Sequence, residues 1–250
     1  MLSRDFSGFN FARLCDPNDD QTFVKHLFPI SILQTSVIPD TKQRSDMLSY
    51  FKSIEGSSAP SKGTSVAIEK NNYTGDVYGL GSIHQHPSFG WLVSKLEEKV
   101  LEYINIYTTE VSSLSFFHQK SWPVILQNSQ SVSRHSHDNA HLSAVYYLNV
   151  PVPSSGGNIL FYNPSDSILP TYGGGSDLLK ASHQAFGLSP VDNMLIIFPS
   201  RLDHEVSCYE SVSPRYSISF DISITAAIAS GSGNVENFPP HISLWKPFSS

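Results

Sequence analysis

The stretch His135-Ser136-His137-Asp138-Asn139-Ala140-His141-Leu142-Ser143-Ala144-Val145-Tyr146-Tyr147-Leu148-Asn149 decides the fold. Its second half, 142–149, is a short apolar and aromatic run of the kind that sits in a pleated, half-buried sheet. Two histidines stand just before it. On an extended chain, residues two apart point to the same face, so His135 and His137 can aim two imidazoles at one point. Runs of the same texture recur at 114–118, 122–128, 131–137, 157–162, 193–198, 204–209 and 214–224, punctuated by Ser, Pro, Gly and Asn. Strands at this spacing after a helical start predict a mainly-β chain, a β-sandwich or jelly roll with helices packed outside.

Upstream, residues 1–22 are polar and read as an N-terminal arm. Leu27–Leu33 reads as a strand, with Pro29 favouring an edge or its start. Residues 42–54 fit an amphipathic helix with Met47, Leu48 and Phe51 on one face, and 55–87 read as loop. A longer helix is expected over 88–109, from Leu92, Leu96, Val100, Tyr103 or Ile104, and Tyr107 at helical spacing. The chain is thus expected to form a single domain: a helix and strand support over 23–112, a β core over 113–225 and an extension over 226–250. About thirty residues separate Phe161-Tyr162 from Met194-Leu195. A loop of that length inside a compact domain is usually functional. The segment 164–192, with Gly173, Gly174 and Gly175 as hinge and His183 in reach of substrate, is expected to be a lid.

Composition narrows the function. Of 250 residues only 15% are charged, and the formal net charge is -6. With no basic run the chain lacks the electrostatic footprint of a nucleic-acid binder. The two cysteines cannot make a disulfide framework and read as free thiols. No run reaches the ~18 apolar residues of a membrane span, and Asp5 falls where a signal peptide would begin its apolar region. The expectation is a cytoplasmic protein with neither nucleic acid nor membrane as partner.

A third ligand for His135 and His137 must come from another strand, and His204, opening the run 204–209, is the best placed. Two ligands close in sequence and one distant make a facial triad, typical of non-haem Fe(II) oxygenases. Asp138 and, further off, His141 compete with His137 for the middle place. Asp138 restores a carboxylate, but at i+3 it needs a β-bulge to turn inward. Arg215, Ser217 and Ser219 share a face of the last strand. A buried Arg needs an anion, and its planar fork suits a carboxylate; a hydroxyl two residues on can add one more hydrogen bond. An inward Arg behind a metal is what a chelating keto-acid requires. His84-Gln85-His86 is a second His-x-His, but it lies in a loop with no strand to hold it. His118, beside Phe116-Phe117, reads as a core histidine.

These motifs occur in a fixed order: His135-x-His137; Leu-Ser-x-Val-Tyr-Tyr-Leu; Gly156-Gly157-x-x-Leu160-x-Tyr162-x-Pro164; Leu-x-x-Phe-Pro-Ser-x-Leu-x-His204; Arg215-x-Ser-x-Ser-Phe. Over about 120–224 the chain resembles the Fe(II)/2-oxoglutarate-dependent oxygenase superfamily. Within it the likeness is to a bacterial and phage group with His-x-His, and it extends to prolyl hydroxylases. The resemblance implies a double-stranded β-helix, cupin-like, with iron in its mouth held by His135, His137 and His204. It implies Arg215 and Ser217 on the far carboxylate of 2-oxoglutarate, with Tyr147 beside it, although Tyr146 could be the inward residue instead. It further implies molecular oxygen as co-substrate and hydroxylation of an amino acid, a peptide or a small metabolite. The alternatives are a three-His cupin-type dioxygenase without a keto-acid, and a non-catalytic β-helix binding module. The chain departs from the superfamily in two places. His137 stands where Asp or Glu is usual. Asp192-Asn193 forms a turn where Gly is usual, and Asn tolerates the left-handed conformation such a turn needs.

Overall fold

The computed structural model describes residues 30–55, 73–76, 79–152, 155–164, 185–227 and 238–246. The chain divides into two units, Met1–Ser31 and Ile32–Ser250. The proposed arm lies outside the described residues, as do Gly173, Gly174, Gly175 and His183 of the expected lid.

The second unit begins with β1 (Leu33–Ser36) and helix α1 (Thr41–Ile54). The expected strand over Leu27–Leu33 is therefore displaced: of its described residues, Ile30 to Ile32 are irregular and pairing starts at Leu33. Helix α1 starts where Asp40 and Gln43 form a capping box, which satisfies two of the first turn's orphan N–H groups. Its Met47 and Phe51 are fully buried. After β2 (Tyr73–Thr74) comes α2 (Gly90–Ile104), which buries Leu92, Leu96, Val100, Tyr103 and Ile104. This helix is shorter than the expected 88–109. Pro87–Phe89 form a 3-10 turn before it, and beyond Ile104 the exposed Ile106 and Tyr107 find no core to prolong it.

Among the described residues nine further strands follow: β3 (Leu114–Leu126), β4 (Gln130–His135), β5 (Leu142–Asn149), β6 (Ser155–Gly156), β7 (Ile159–Tyr162), β8 (Ala185–Leu188), β9 (Met194–Pro199), β10 (His204–Glu210) and β11 (Arg215–Ala226). The two runs expected at 114–118 and 122–128 are one strand, β3, bent into a thirteen-residue ribbon against β11. The expected strand over 131–137 ends at His135, so His137 lies beyond it. Strands β1-β9-β5-β11-β3-β2 make a large antiparallel sheet; β4-β10-β7-β8, with β6 on β10, make a smaller one. This is the double-stranded β-helix expected from the sequence.

Period-two alternation explains which residue faces what. On β5, Leu142, Ala144, Tyr146 and Leu148 join the cluster that contains Met47, Phe51, Leu92 and Leu96 on the helix side. On β9, Leu195 and Ile197 do the same, while Met194, Ile196 and Phe198 pack with Tyr147, Ile159 and Phe161 between the sheets. Both faces of these strands are buried, so their sequences are apolar runs with little alternation. Strand β11 differs. Tyr216, Ile218, Phe220, Ile222 and Ile224 enter the helix-side core, but the opposite face carries Arg215, Ser217, Ser219 and Asp221. Four buried or half-buried polar residues in register on an inner face mark where the apolar core is interrupted for a site.

Asn193 adopts φ 66°, as the turn before β9 requires. Its side chain accepts from Tyr146 Oη at 3.1 Å and from Arg44 at 3.3 Å, while Arg44 pairs with Asp192 at 2.8 Å. The turn without glycine is held by polar contacts from α1 and β5.

Candidate metal centre

A cavity of about 380 Å³ opens between the sheets, lined among others by Trp122, Val124, His135, His137, Tyr147, His204 and Arg215. Antiparallel pairing of β10 with β4 sets His204 directly opposite His135. His137 sits past the end of β4, where its backbone N–H donates to the Ser200 carbonyl at 2.9 Å. His137 is therefore aimed by tertiary contact with the Pro199–Arg201 turn and not by the pleat of a strand shared with His135. One potential ligand atom from each of His135, His137 and His204 lies within 4.8 Å of the others, and among the described residues this is the one such cluster. Asp138 lines the cavity but stands outside the cluster. His141 turns away, its Nδ1 accepting from the Ile224 N–H at 3.1 Å.

The three rings share a hydrogen-bond logic. His135 Nδ1 lies 2.7 Å from the Ser133 carbonyl, His204 Nδ1 2.8 Å from the Leu202 carbonyl, and His137 Nδ1 2.7 Å from Asp221 Oδ1. Each partner is an acceptor, so each Nδ1 carries a proton and Nε2 is the ring nitrogen left to face a metal. That is how metal-binding imidazoles are prepared. Burial is the largest influence on His204, with His135 next, and together they push its imidazole down to about 3. Burial likewise lowers His135. Neutral imidazole is the form that binds a metal.

Arg215 is 2% exposed. Its Nη1 donates to the Gly157 carbonyl, its Nε has no partner, and no carboxylate among the described residues pairs with it. Burial disfavours its charge. A buried guanidinium with a spare donor, facing a cavity, fits a ligand anion. Gly157 makes the close approach possible: it has φ +63°, and a Cβ there would lie 2.8 Å from Arg215 Nη1. Tyr147 flanks the guanidinium, ring centroid 5.3 Å from Cζ, whereas Tyr146 points to the helix-side core and donates to the Val37 carbonyl. Ser217 is buried on the cavity side.

Three features escaped the sequence reading. Trp122 stacks on His137, centroids 5.6 Å apart. Lys120 and Asp76 pair at 2.8 Å on the cavity wall. Asp221 holds His137. Of these only Asp221 had a sequence signal, since it continues the alternation of Arg215, Ser217 and Ser219. His84 and His118 stack on each other away from the cavity, His84 bonded to Ser121 and His118 to Glu97.

A double-stranded β-helix whose His135, His137 and His204 meet in its mouth offers a metal ion three imidazole ligands. Residues 120–221 match the model of the family described as "Putative 2OG-Fe(II) oxygenase", so the likeness covers most of the β core. The fold is similar to that of a prolyl-4-hydroxylase from Pseudomonas putida, with a TM-score of 0.50 at 15% identity over 77% of this chain and 92% of that one. It is equally similar to a Trichoplax adhaerens prolyl hydroxylase solved with a hypoxia inducible factor peptide fragment, TM-score 0.50 at 15% identity over 77% and 83%. No curated protein matches the chain. No helix among the described residues is long and apolar enough to cross a membrane.

Proposed function

We propose that the protein is an Fe(II)- and 2-oxoglutarate-dependent dioxygenase that hydroxylates an amino acid, a peptide or a small metabolite. The observation that carries this reading is the buried Arg215, which no carboxylate among the described residues pairs, in the same cavity as the His135, His137 and His204 cluster. A three-His dioxygenase without a keto-acid does not require a buried guanidinium behind the metal.

In this reading His135, His137 and His204 hold Fe(II) through Nε2. The Arg215 fork and the Ser217 hydroxyl hold the far carboxylate of 2-oxoglutarate, and Tyr147 fixes the plane of the guanidinium. When bound, iron with 2-oxoglutarate supplies an oxidant from molecular oxygen, with succinate and carbon dioxide as by-products. The chain's own part is to fix the ligands' protons on Nδ1, to neutralise the dianion and to keep water out. Trp122, Val124, Ile159 and Phe198 line the cavity and serve the last purpose. At about 380 Å³ the cavity lies at the small end of ligand sites. It takes the five-carbon cosubstrate and a side-chain-sized group, which suits a free amino acid or one residue of a peptide.

Anaerobic titration with Fe(II) and then 2-oxoglutarate tests the reading. The expected result is a visible charge-transfer band that saturates at one equivalent, and oxygen-dependent succinate release. Metal binding with no response to 2-oxoglutarate would overturn it in favour of the keto-acid-independent class.

A further inference from the structure

Asp221 is 2% exposed, and among the described acids lining the cavity it is the one fully buried. It lies on the same face of β11 as Arg215, six residues and roughly 20 Å along the strand. Asp221 Oδ1 takes hydrogen bonds from His137 Nδ1 at 2.7 Å and from Ser143 Oγ at 2.9 Å, and Ser143 Oγ lies 3.0 Å from Ser200 Oγ. His137 is thereby fixed from three sides: Asp221 on the ring edge, Trp122 on the ring face, and the Ser200 carbonyl on its backbone N–H.

The three histidines are not equivalent. His135 and His204 each rest on a backbone carbonyl, a neutral acceptor, whereas His137 alone rests on a carboxylate. His137 is also the position where the resembled superfamily usually carries an acid. We propose that Asp221 is a positioning residue that returns the missing negative charge to the metal centre through His137. The carboxylate polarises the Nδ1–H bond and raises the donor strength of Nε2. A three-His centre thus keeps part of the charge balance of a two-His-one-carboxylate centre, with the anion one imidazole further out. The inference rests on the reading of the three histidines as a metal site.

Co(II) alone, added to the metal-free full chain, tests it by affinity and by the visible spectrum of the bound ion. Asp221→Asn keeps an oxygen acceptor of the same size and removes the charge. It is expected to weaken Co(II) binding by about 10–100-fold, the range for partners of metal-bound histidine. Ser143→Ala removes the other donor to Asp221 and is expected to leave affinity within a few-fold. Wild type that binds Co(II) with Asp221→Asn unchanged overturns the inference and leaves the metal-site reading standing. An equal loss in Ser143→Ala also overturns it, because a merely structural network is then at work. Wild type that binds no Co(II) overturns both. If Asp221→Asn fails to fold, nitrogen NMR of the Zn(II)-loaded wild type decides: His137 Nδ1–H is expected well downfield of the other two, and three equal shifts overturn the inference.

Discussion

Arg215 Nη1 donates to the carbonyl of Gly157, and the Cβ that any other residue would carry at 157 falls 2.8 Å from that nitrogen and 2.9 Å from Tyr209 Cδ2. Gly157→Ala is therefore expected to push the guanidinium out of place. Overpacking and the left-handed backbone each cost on the order of 1–3 kcal/mol. The expected outcome is a lower denaturation midpoint with weaker 2-oxoglutarate binding and unaltered metal binding. Unchanged cosubstrate affinity in a folded Gly157→Ala protein would show that Arg215 is not the anchor.

Arg215→Ala removes the proposed anchor itself. Truncating one partner of a buried charge pair costs about 2–5 kcal/mol. We expect 2-oxoglutarate binding to fall by that amount in an anaerobic titration, while Fe(II) alone binds as before. Arg215→Lys is expected to restore little, since an ammonium lacks the planar fork and cannot reach both Gly157 and a ligand carboxylate in the same geometry.

Ligand identity separates His137 from Asp138. His137→Ala is expected to abolish tight metal binding and turnover, and Asp138→Ala to keep the metal. Measuring bound iron in the two purified proteins checks this; loss of iron in Asp138→Ala alone would replace the proposed ligand set.

The metal-free protein should lose stability in mild acid. Burial holds His204 near 3, below the ordinary histidine value of 6.5. Between those values the unfolded chain binds a proton that the folded chain does not, so stability rises with pH across the window and falls as pH drops from 6.5 towards 3. The upper limit for this one group is about 5 kcal/mol. Chemical denaturation at pH 7 and pH 5 is expected to show the loss, and His204→Gln to flatten it; a slope equally steep in that variant would assign the effect elsewhere.

Phe51 ties α1 to the sheet. It is fully buried and stacks on Tyr216, centroids 4.9 Å apart at 22°. Phe51→Ala is expected to destabilise the protein by about 3–5 kcal/mol, read as a shift in urea midpoint with little change in metal affinity.

Some of this was legible because it is local. Apolar runs at 142–149 and 193–198 report strands buried on two faces, and Met47 with Phe51 reports a helix face. Asn193 reports a left-handed turn because few other residues accept positive φ. The strand ends were not legible. His135 ends β4 since the chain must leave the sheet to reach Ser200, and no propensity of Ser136 or His137 encodes that departure. Helix α2 stops at Ile104 although Tyr107 keeps the period, because burial ends there and periodicity alone does not fix a helix end.

The sequence by itself determined the class of fold, the inward face of β11 and which residues are candidates to hold a metal and an anion, because side-chain alternation and residue chemistry are properties of the chain. Only the tertiary structure decided how those residues meet. Pairing of β10 with β4 set His204 against His135, contact with Ser200 and Asp221 aimed His137, and the approach of Gly157 fixed Arg215. Each of these joins residues 58 or more positions apart. Distances of that kind arise from packing and strand register, and no local pattern along the chain carries them.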